Sequence, residues 1–126
     1  MADNEKEKIK KAILSYYHEG HVQSDGTLYD EILYHDWKIM WINQDDKIEQ
    51  ADKKTYMAWY KPEDKNEDLK WKTEFYYIDI SENIGSAKIK IYNQEFGYID
   101  YFNLMKENGR WWIVNKISRG MNKSEK

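Results

Sequence analysis

The dipeptide Asn108-Gly109, which lies between two aromatic-rich runs, constrains the fold of this chain more than any other feature of its sequence. The runs are residues 98–106 and 111–118, and both are rich in aromatic and β-branched residues, which favour β-strands. Asn-Gly is the strongest short hairpin signal, because a type I′ turn needs positive φ at both central residues. The sequence therefore predicts that the two runs form an antiparallel hairpin.

A two-residue turn fixes the register of this hairpin, and strand side chains alternate between the two faces of a sheet. The predicted pairs are Glu107–Arg110, Lys106–Trp111, Leu104–Ile113, Phe102–Asn115 and Asp100–Ile117. One predicted face carries Tyr98, Asp100, Phe102, Leu104, Trp111, Ile113, Asn115 and Ile117. The other predicted face carries Ile99, Tyr101, Asn103, Met105, Trp112, Val114 and Lys116.

Both predicted faces are rich in large apolar side chains. A sheet with one face in water should alternate more cleanly between apolar and polar residues, so we expect both faces to be covered. Helices can cover one of them. The other is predicted to meet a second copy of the chain, because a monomer rarely exposes so large an apolar patch. The residues predicted for this homodimer interface are Tyr101, Met105, Trp112 and Val114.

Asp100 is the first candidate for a functional side chain. Asp is depleted in strands, and a buried carboxylate without a partner is costly, so Asp100 needs a partner, a water molecule or a raised pKa. The predicted register places it diagonally across from Asn115, on the same face. Two interpretations stay open: a site residue in a cleft, or a structural carboxylate that bonds a tyrosine hydroxyl or a backbone amide.

Helices are predicted mainly in the first half of the chain. The first covers residues 4–21, with Asn4 as N-cap and Glu7 at the capping-box spacing. The second covers residues 24–35, where Ser24 or Asp25 can act as the cap. The third covers residues 53–60 and is capped by Asp52.

Strands are predicted for residues 37–42, 70–80 and 87–92, in addition to the two strands of the C-terminal hairpin. Helices followed by a run of antiparallel strands indicate the α+β class. The length of 126 residues is that of one average domain, so one domain over residues 1–126 is expected. The polar residues from Arg119 onward are predicted to form a frayed tail.

Composition disfavours several classes of function. The 20 Lys and Arg residues are balanced by 23 Asp and Glu, for a net charge of −3, whereas nucleic-acid binders normally carry a basic stripe. The sequence has no cysteine, no secretory signal and no apolar run of about 18 residues, so a cytoplasmic protein without membrane contact is expected. No glycine-rich phosphate loop and no G-x-S-x-G elbow is present, and no cofactor is predicted.

Three ionisable residues near the end of the first helix are candidate metal ligands. His18 and His21 are three residues apart, not four as in His-Glu-x-x-His zinc sites, so with Glu19 they are not predicted to bind a metal. Gly20 is expected either to allow close helix packing or to end the helix. His35 either caps a helix C-terminus or serves as an acid or base in a pocket.

Several of these segments resemble one known superfamily. Tyr16-Tyr17-His18-Glu19-Gly20, then Asp25, then Leu33-Tyr34-His35 before a strand, is similar to the nuclear transport factor 2-like (SnoaL-like) superfamily. Residues 100–106 and 109–116 resemble its branch described as "putative lumazine-binding". The resemblance spans roughly residues 9–117.

This resemblance implies a cone, in which three helices pack into the concave face of a curved, mainly antiparallel sheet. A pocket is expected at the wide end, and a homodimer through the outer face of the sheet. Enzymes of the superfamily often use an Asp or a His-Asp pair inside the cone, and the positions here that match such a role are Asp100 and His35.

Three functions are compatible with the sequence. The first is a small-molecule-binding domain with an aromatic pocket inside the cone. Its expected ligand-binding residues are Tyr16, Tyr56, Trp59, Tyr98, Phe102 and Asn115. The alternative is an isomerase, dehydratase or cyclase that uses Asp100 as base and His35 or a tyrosine as acid. The third is an interaction module that binds a different protein through its outer sheet face.

Overall fold

Short helical segments cover one face of a six-stranded sheet in the computed structural model, which describes residues 2–122. The N-terminal segment is continuous and changes its winding along its length. The helical segments are α1 (Ala2–Ala12), a π-helical stretch (Ile13–His18), α2 (Glu19–Gln23), a 3₁₀ helix (Gly26–Glu31), α3 (Lys53–Ala58) and a second 3₁₀ helix (Pro62–Asp64).

Capping residues explain where most of these segments begin and end. The first helix begins before Asn4, so the predicted N-cap there is wrong, and it ends at Ser24, whose backbone is left-handed with φ of 49°. Asp25 caps the 3₁₀ helix by accepting from the backbone N–H of Thr27. Asp52 caps α3 in the same way through Thr55, as predicted.

The predicted second helix, residues 24–35, is realised only as the 3₁₀ helix Gly26–Glu31. After Glu31 the chain becomes extended, because its backbone forms hydrogen bonds with the sheet. Ile113 donates its N–H to the carbonyl of Ile32 and accepts from the N–H of Tyr34, which makes Leu33 a parallel bridge to Ile113.

The six strands form one mainly antiparallel sheet in the order β2-β1-β6-β5-β4-β3. Among the strand pairs formed by residues 2–122, that of β1 with β6 is parallel and the other four are antiparallel. The strands are β1 (Lys38–Ile42), β2 (Ile48–Asp52), β3 (Lys72–Ser81), β4 (Ile84–Tyr92), β5 (Gly97–Glu107) and β6 (Arg110–Gly120). The predicted α+β fold, with helices packed on a curved and mainly antiparallel sheet, is confirmed.

Two features of this sheet differ from prediction. Strand β2 was not predicted, because its sequence is largely polar and it lies exposed at the edge of the sheet. Strand β6 extends to Gly120, so Arg119 and Gly120 belong to the sheet rather than to the predicted frayed tail. Residues 123–126 of that tail lie outside the described part of the chain. Among residues 2–122, no helix combines the length and the apolar character needed to span a bilayer.

A β-bulge interrupts the C-terminal hairpin and changes its predicted register. Asn108 and Gly109 both have positive φ, and the predicted pairs hold from Glu107–Arg110 to Leu104–Ile113. One extra residue of β6, Val114, is then inserted. Beyond the bulge the observed pairs are Asn103–Asn115, Phe102–Lys116, Tyr101–Ile117 and Asp100–Ser118.

This extra residue exchanges the faces of every later residue of β6. The predicted pairs Phe102–Asn115 and Asp100–Ile117 are therefore wrong. Asn115 lies on the outer face, where its side-chain carbonyl accepts from Asn103 at 2.9 Å, and Ile117 is 58% exposed. Lys116, predicted to face outward, points into the core and is 3% exposed.

The space between helices and sheet is filled mainly by aromatic and branched aliphatic side chains. Its largest fully buried members are Trp37, Tyr17, Tyr29, Tyr56 and Phe102. Gly20 allows the helix to approach this cluster, because a Cβ there would lie 2.4 Å from the ring of Tyr29. The interpretation of Gly20 as a close-packing residue is confirmed.

Candidate functional site

A buried polar cluster joins the helices to the sheet at the centre of the cone. Asp100 of β5 is fully buried, and both of its carboxylate oxygens accept hydrogen bonds. Tyr17, from the π-helical stretch, donates to Oδ2 at 2.5 Å, and Ser118, from β6, donates to Oδ1 at 2.5 Å. Lys116 Nζ lies 3.9 Å from Oδ2. Tyr56 of α3 joins the cluster through Lys116, so four segments of the chain meet here: the π-helical stretch, α3, β5 and β6.

Lys116 is the counter-ion of this carboxylate. Its Nζ donates to the hydroxyl of Tyr17 at 2.5 Å and to that of Tyr56 at 3.2 Å, and it lies over both rings at 4.9 and 4.5 Å from their centroids. Burial lowers the pKa of Lys116 to about 8, and the negative charge of Asp100 opposes that shift. Since 8 lies above neutral pH, Lys116 is mainly protonated at pH 7.

The buried tyrosines act as hydrogen-bond donors in this cluster. Burial is the main cause that raises the pKa of Tyr17 and Tyr56 well above the usual value, and the nearby Asp100 charge raises that of Tyr17 further. Both hydroxyls therefore keep their protons at neutral pH. Tyr17 uses its proton on Asp100 and accepts from Lys116, so its hydroxyl is satisfied in both directions.

His21 forms a second layer behind these tyrosines. Its Nδ1 lies 2.9 Å from the backbone carbonyl of Tyr17 and 2.8 Å from the hydroxyl of Tyr29. Because a carbonyl can only accept, Nδ1 carries the hydrogen, and the Tyr29 hydroxyl is its second acceptor. The Nε2 atom is then the acceptor, and the hydroxyl of Tyr60 lies 3.5 Å from it. Burial, together with the positive charge of Lys116, lowers the pKa of His21 to about 3. The imidazole is therefore neutral at physiological pH.

The cone is open at its mouth, directly above Ser118. A cavity of about 270 Å³ lies there, lined by Ile39, Trp41, Ile42, Trp59, Tyr98, Ser118, Arg119 and Gly120. The rings of Trp41 and Trp59 meet edge to face, with centroids 6.0 Å apart. Ser118 is half-buried and connects this aromatic cavity to the buried carboxylate of Asp100 through its hydroxyl.

Of the six residues predicted to bind a ligand, Trp59 and Tyr98 line the mouth cavity. Tyr56 and Phe102 are 1% exposed and lie in the packed core. Tyr16 lines a different groove, next to Arg110 and Trp111. Asn115 is on the outer face because the bulge shifts the register of β6, so its predicted proximity to Asp100 is wrong.

The predicted pair of Asp100 and His35 is not formed. His35 is exposed, and its ring packs against that of Tyr34 with centroids 4.2 Å apart. Of the two interpretations of Asp100, the geometry matches the structural carboxylate bonded to a tyrosine hydroxyl. Its direct contacts are donors and a counter-ion, so it serves as a fixed negative charge.

His18, Glu19 and His21 diverge in the structure. His18 Nδ1 lies 2.8 Å from the hydroxyl of Thr73, whereas His21 points into the aromatic core. Within residues 2–122, no group of three or more His, Asp or Glu side chains is arranged to hold a metal ion.

Sequence reasoning missed three residues that build the site: Tyr17, Lys116 and Ser118. Their signal is weak, because Lys116 and Ser118 reach the inner face only through the bulge. The run Trp111-Trp112-Ile113-Val114 is apolar throughout, so its pattern cannot reveal where alternation shifts by one residue.

With this geometry established, comparison with protein families identifies the class. Residues 4–118 match the family described as "Putative lumazine-binding", which covers most of the chain. The chain therefore belongs to this family, within the nuclear transport factor 2-like fold. A comparison with curated proteins finds no match.

Solved structures share this fold. A nuclear transport factor 2-like protein of unknown function from Shewanella baltica OS155 superposes with a TM-score of 0.84 at 23% identity, over 98% of both chains. Another, from Methylobacillus flagellatus KT, gives a TM-score of 0.79 at 21% identity, over 94% of both chains. A domain of unknown function with a cystatin-like fold from Nostoc punctiforme PCC 73102 gives 0.68 at 7% identity, over 95% of this chain and 80% of that one. These likenesses define the fold.

The buried ion pair generates a first prediction. Lys116→Met and Asp100→Asn should each lower the free energy of unfolding by about 3–5 kcal/mol, because each leaves a buried polar group without its partner. The double variant should lose clearly less than the sum of the two. Urea denaturation at pH 7 measures the stability of all three variants.

Lys72→Met, at an exposed lysine of β3, is the control, and its free energy of unfolding should stay within about 0.5 kcal/mol of the wild type. Strict additivity of the two single changes would contradict the coupling.

A second prediction concerns acid stability. The pKa of His21 is about 3 in the fold, against 6.5 ordinarily, so below pH 6.5 the unfolded chain takes up a proton that the folded chain does not. The free energy of unfolding should therefore fall as the pH drops from 6.5 towards 3, by up to about 1.4 kcal/mol per pH unit from this group.

His21→Gln should remove this part of the pH dependence, and urea denaturation between pH 7 and 4.5 measures it. His35→Gln, at the exposed histidine, is the matched control and should retain the wild-type slope. An unchanged slope in His21→Gln would show that His21 does not remain neutral in the fold.

Proposed function

We propose that this protein binds a small planar molecule at the mouth of the cone. The observation that carries this proposal is the cavity of about 270 Å³ that Trp41, Trp59 and Tyr98 line next to the Ser118–Asp100 hydrogen bond. Ligand sites typically combine an apolar, aromatic wall with a few convergent polar groups. A volume near the lower end of the usual range favours a ligand of one or two fused rings.

The position of the ligand differs from the one expected from sequence. Tyr17, Tyr56 and Phe102 are at most 1% exposed, so the deep part of the cone is occupied by side chains. A ligand would instead lie above them, against the indole of Trp59, which is 50% exposed. Aromatic faces bind planar heterocycles through offset stacking and dispersion. The family description supports a pteridine such as lumazine as the first compound to test.

Binding is favoured over catalysis by the state of the buried groups. A general base must reach the proton that it abstracts, but Asp100 is fully buried and already accepts from Tyr17 and Ser118. His35, the acid suggested by sequence, lies on the surface. The cluster therefore places fixed charges beneath the cavity and does not supply a proton donor or acceptor for catalysis.

Titration with lumazine tests this function. The wild type should bind it, and Trp59→Ala should weaken binding on the order of tenfold, because stacking on an aromatic side chain is lost. Isothermal titration calorimetry measures the Kd. Tyr77→Ala, at an exposed tyrosine of β3 outside the mouth, is the matched control and should leave the Kd unchanged. An equal loss in both variants would place the ligand elsewhere.

We also propose that the outer sheet face mediates a homodimer, as the two-faced hairpin suggests. Tyr101 and Met105 are 46% and 50% exposed there, and Ile117 is 58% exposed. They stand beside half-buried Trp112 and Val114. Exposed apolar surface of this extent is typical of interaction sites, and a two-fold symmetric contact would place the face of one copy against that of the other.

Light scattering coupled to size exclusion tests the dimer. The wild type should elute with twice the mass of the 15.4 kDa chain. Met105→Glu should shift it to the monomer, because two carboxylates would be brought together in an apolar contact. Leu14→Glu, an equally drastic change at a partly exposed position of the helical layer, should leave the dimer intact. A monomeric wild type at micromolar concentration would contradict the proposal.

A further inference from the structure

Ser118 is the polar residue through which the mouth cavity meets the buried charges. It lines the cavity and faces inward only because the bulge at Val114 shifts the register of β6. Its side chain stands on the strand directly opposite Asp100. A hydroxyl in this position can contact both the carboxylate below it and a ligand above it.

The direction of the hydrogen bond below Ser118 is determined by its neighbours. Lys116 lies 3.9 Å from Asp100 and is as deeply buried, so the carboxylate is held as an anion, which accepts only. Tyr17 supplies the proton on Oδ2, and the Ser118 hydroxyl supplies the proton on Oδ1 at 2.5 Å. The single hydrogen of this hydroxyl is therefore committed to Asp100.

What remains available on Ser118 Oγ is its lone pairs. Reversing the hydroxyl to donate into the cavity would deprive a buried carboxylate oxygen of its donor, and a hydrogen bond to a charged group is among the most costly to lose. Ser118 therefore presents an acceptor, and not a donor, to a molecule in the mouth of the cone.

We propose that Ser118 is a specificity-determining residue that selects planar heterocycles carrying a ring N–H or an O–H at the edge that enters the cavity. This inference rests on the proposed function and names the class of ligand for that site. A ligand whose entering edge carries a carbonyl or an N-alkyl group would place an acceptor or an apolar group against Ser118 Oγ. Such a ligand should be discriminated against.

A matched pair of compounds tests the selection: lumazine, which has two ring N–H groups, and 1,3-dimethyllumazine, in which both are methylated. By calorimetry, the wild type should bind lumazine about five- to tenfold more tightly, the value of one hydrogen bond. Ser118→Ala should raise the Kd for lumazine by that factor and leave the Kd for 1,3-dimethyllumazine within about twofold of the wild-type value. Ser118→Thr keeps the hydroxyl and should retain the preference.

The possible outcomes separate the two proposals. If the wild type binds both compounds equally, the selection by Ser118 is overturned, but the binding function stands. If Ser118→Ala instead tightens 1,3-dimethyllumazine and leaves lumazine unchanged, the preference is steric and the selection is likewise overturned. If neither compound binds the wild type, the pteridine-binding function fails and the selection fails with it. Thermal melting of each variant verifies that it is folded.

Discussion

The pairing of Asp100 with Lys116 is the interaction on which the arrangement of this fold depends. Two buried charges lose their hydration, and that cost is offset only if geometry and further hydrogen bonds are good. Here Tyr17, Tyr56 and Ser118 supply those hydrogen bonds. Since these partners come from the first helix, α3 and β6, satisfying the pair requires the helical layer and the sheet to meet in one particular way.

The pair exists because of a single extra residue in β6. Without the bulge, alternation would turn Ile117 inward opposite Asp100 and leave Lys116 outside, so the carboxylate would have no counter-ion. The same insertion puts Ser118 at the mouth and Ile117 on the outer face. One local irregularity therefore shapes the buried cluster, the cavity above it and the apolar outer surface together, which fits the frequent occurrence of bulges beside functional sites.

The aromatic residues fall into two groups, one that packs the core and one that lines the opening of the cone. Tyr17, Tyr29, Tyr56 and Phe102 pack the depth of the cone, where their rings contact one another at interplanar angles of 53° to 79°. Trp41, Trp59 and Tyr98 remain at the opening. The fold alone does not select a function; in this chain the site is defined by the side chains left at the opening.

Local patterns in the sequence were sufficient to determine the α+β class, the hairpin at Asn108-Gly109, the Asp52 cap and the need of Asp100 for partners, because each depends on a few neighbouring residues. Tertiary structure alone decided the bulge, the polar edge strand β2, the inward position of Lys116 and the exposure of His35. When both faces of a strand are apolar, the alternation of its residues does not reveal where a bulge shifts the register by one residue. The position of that shift depends on which side chains the helical layer and the sheet can bury together. The most important of these is Lys116, which pairs with Asp100.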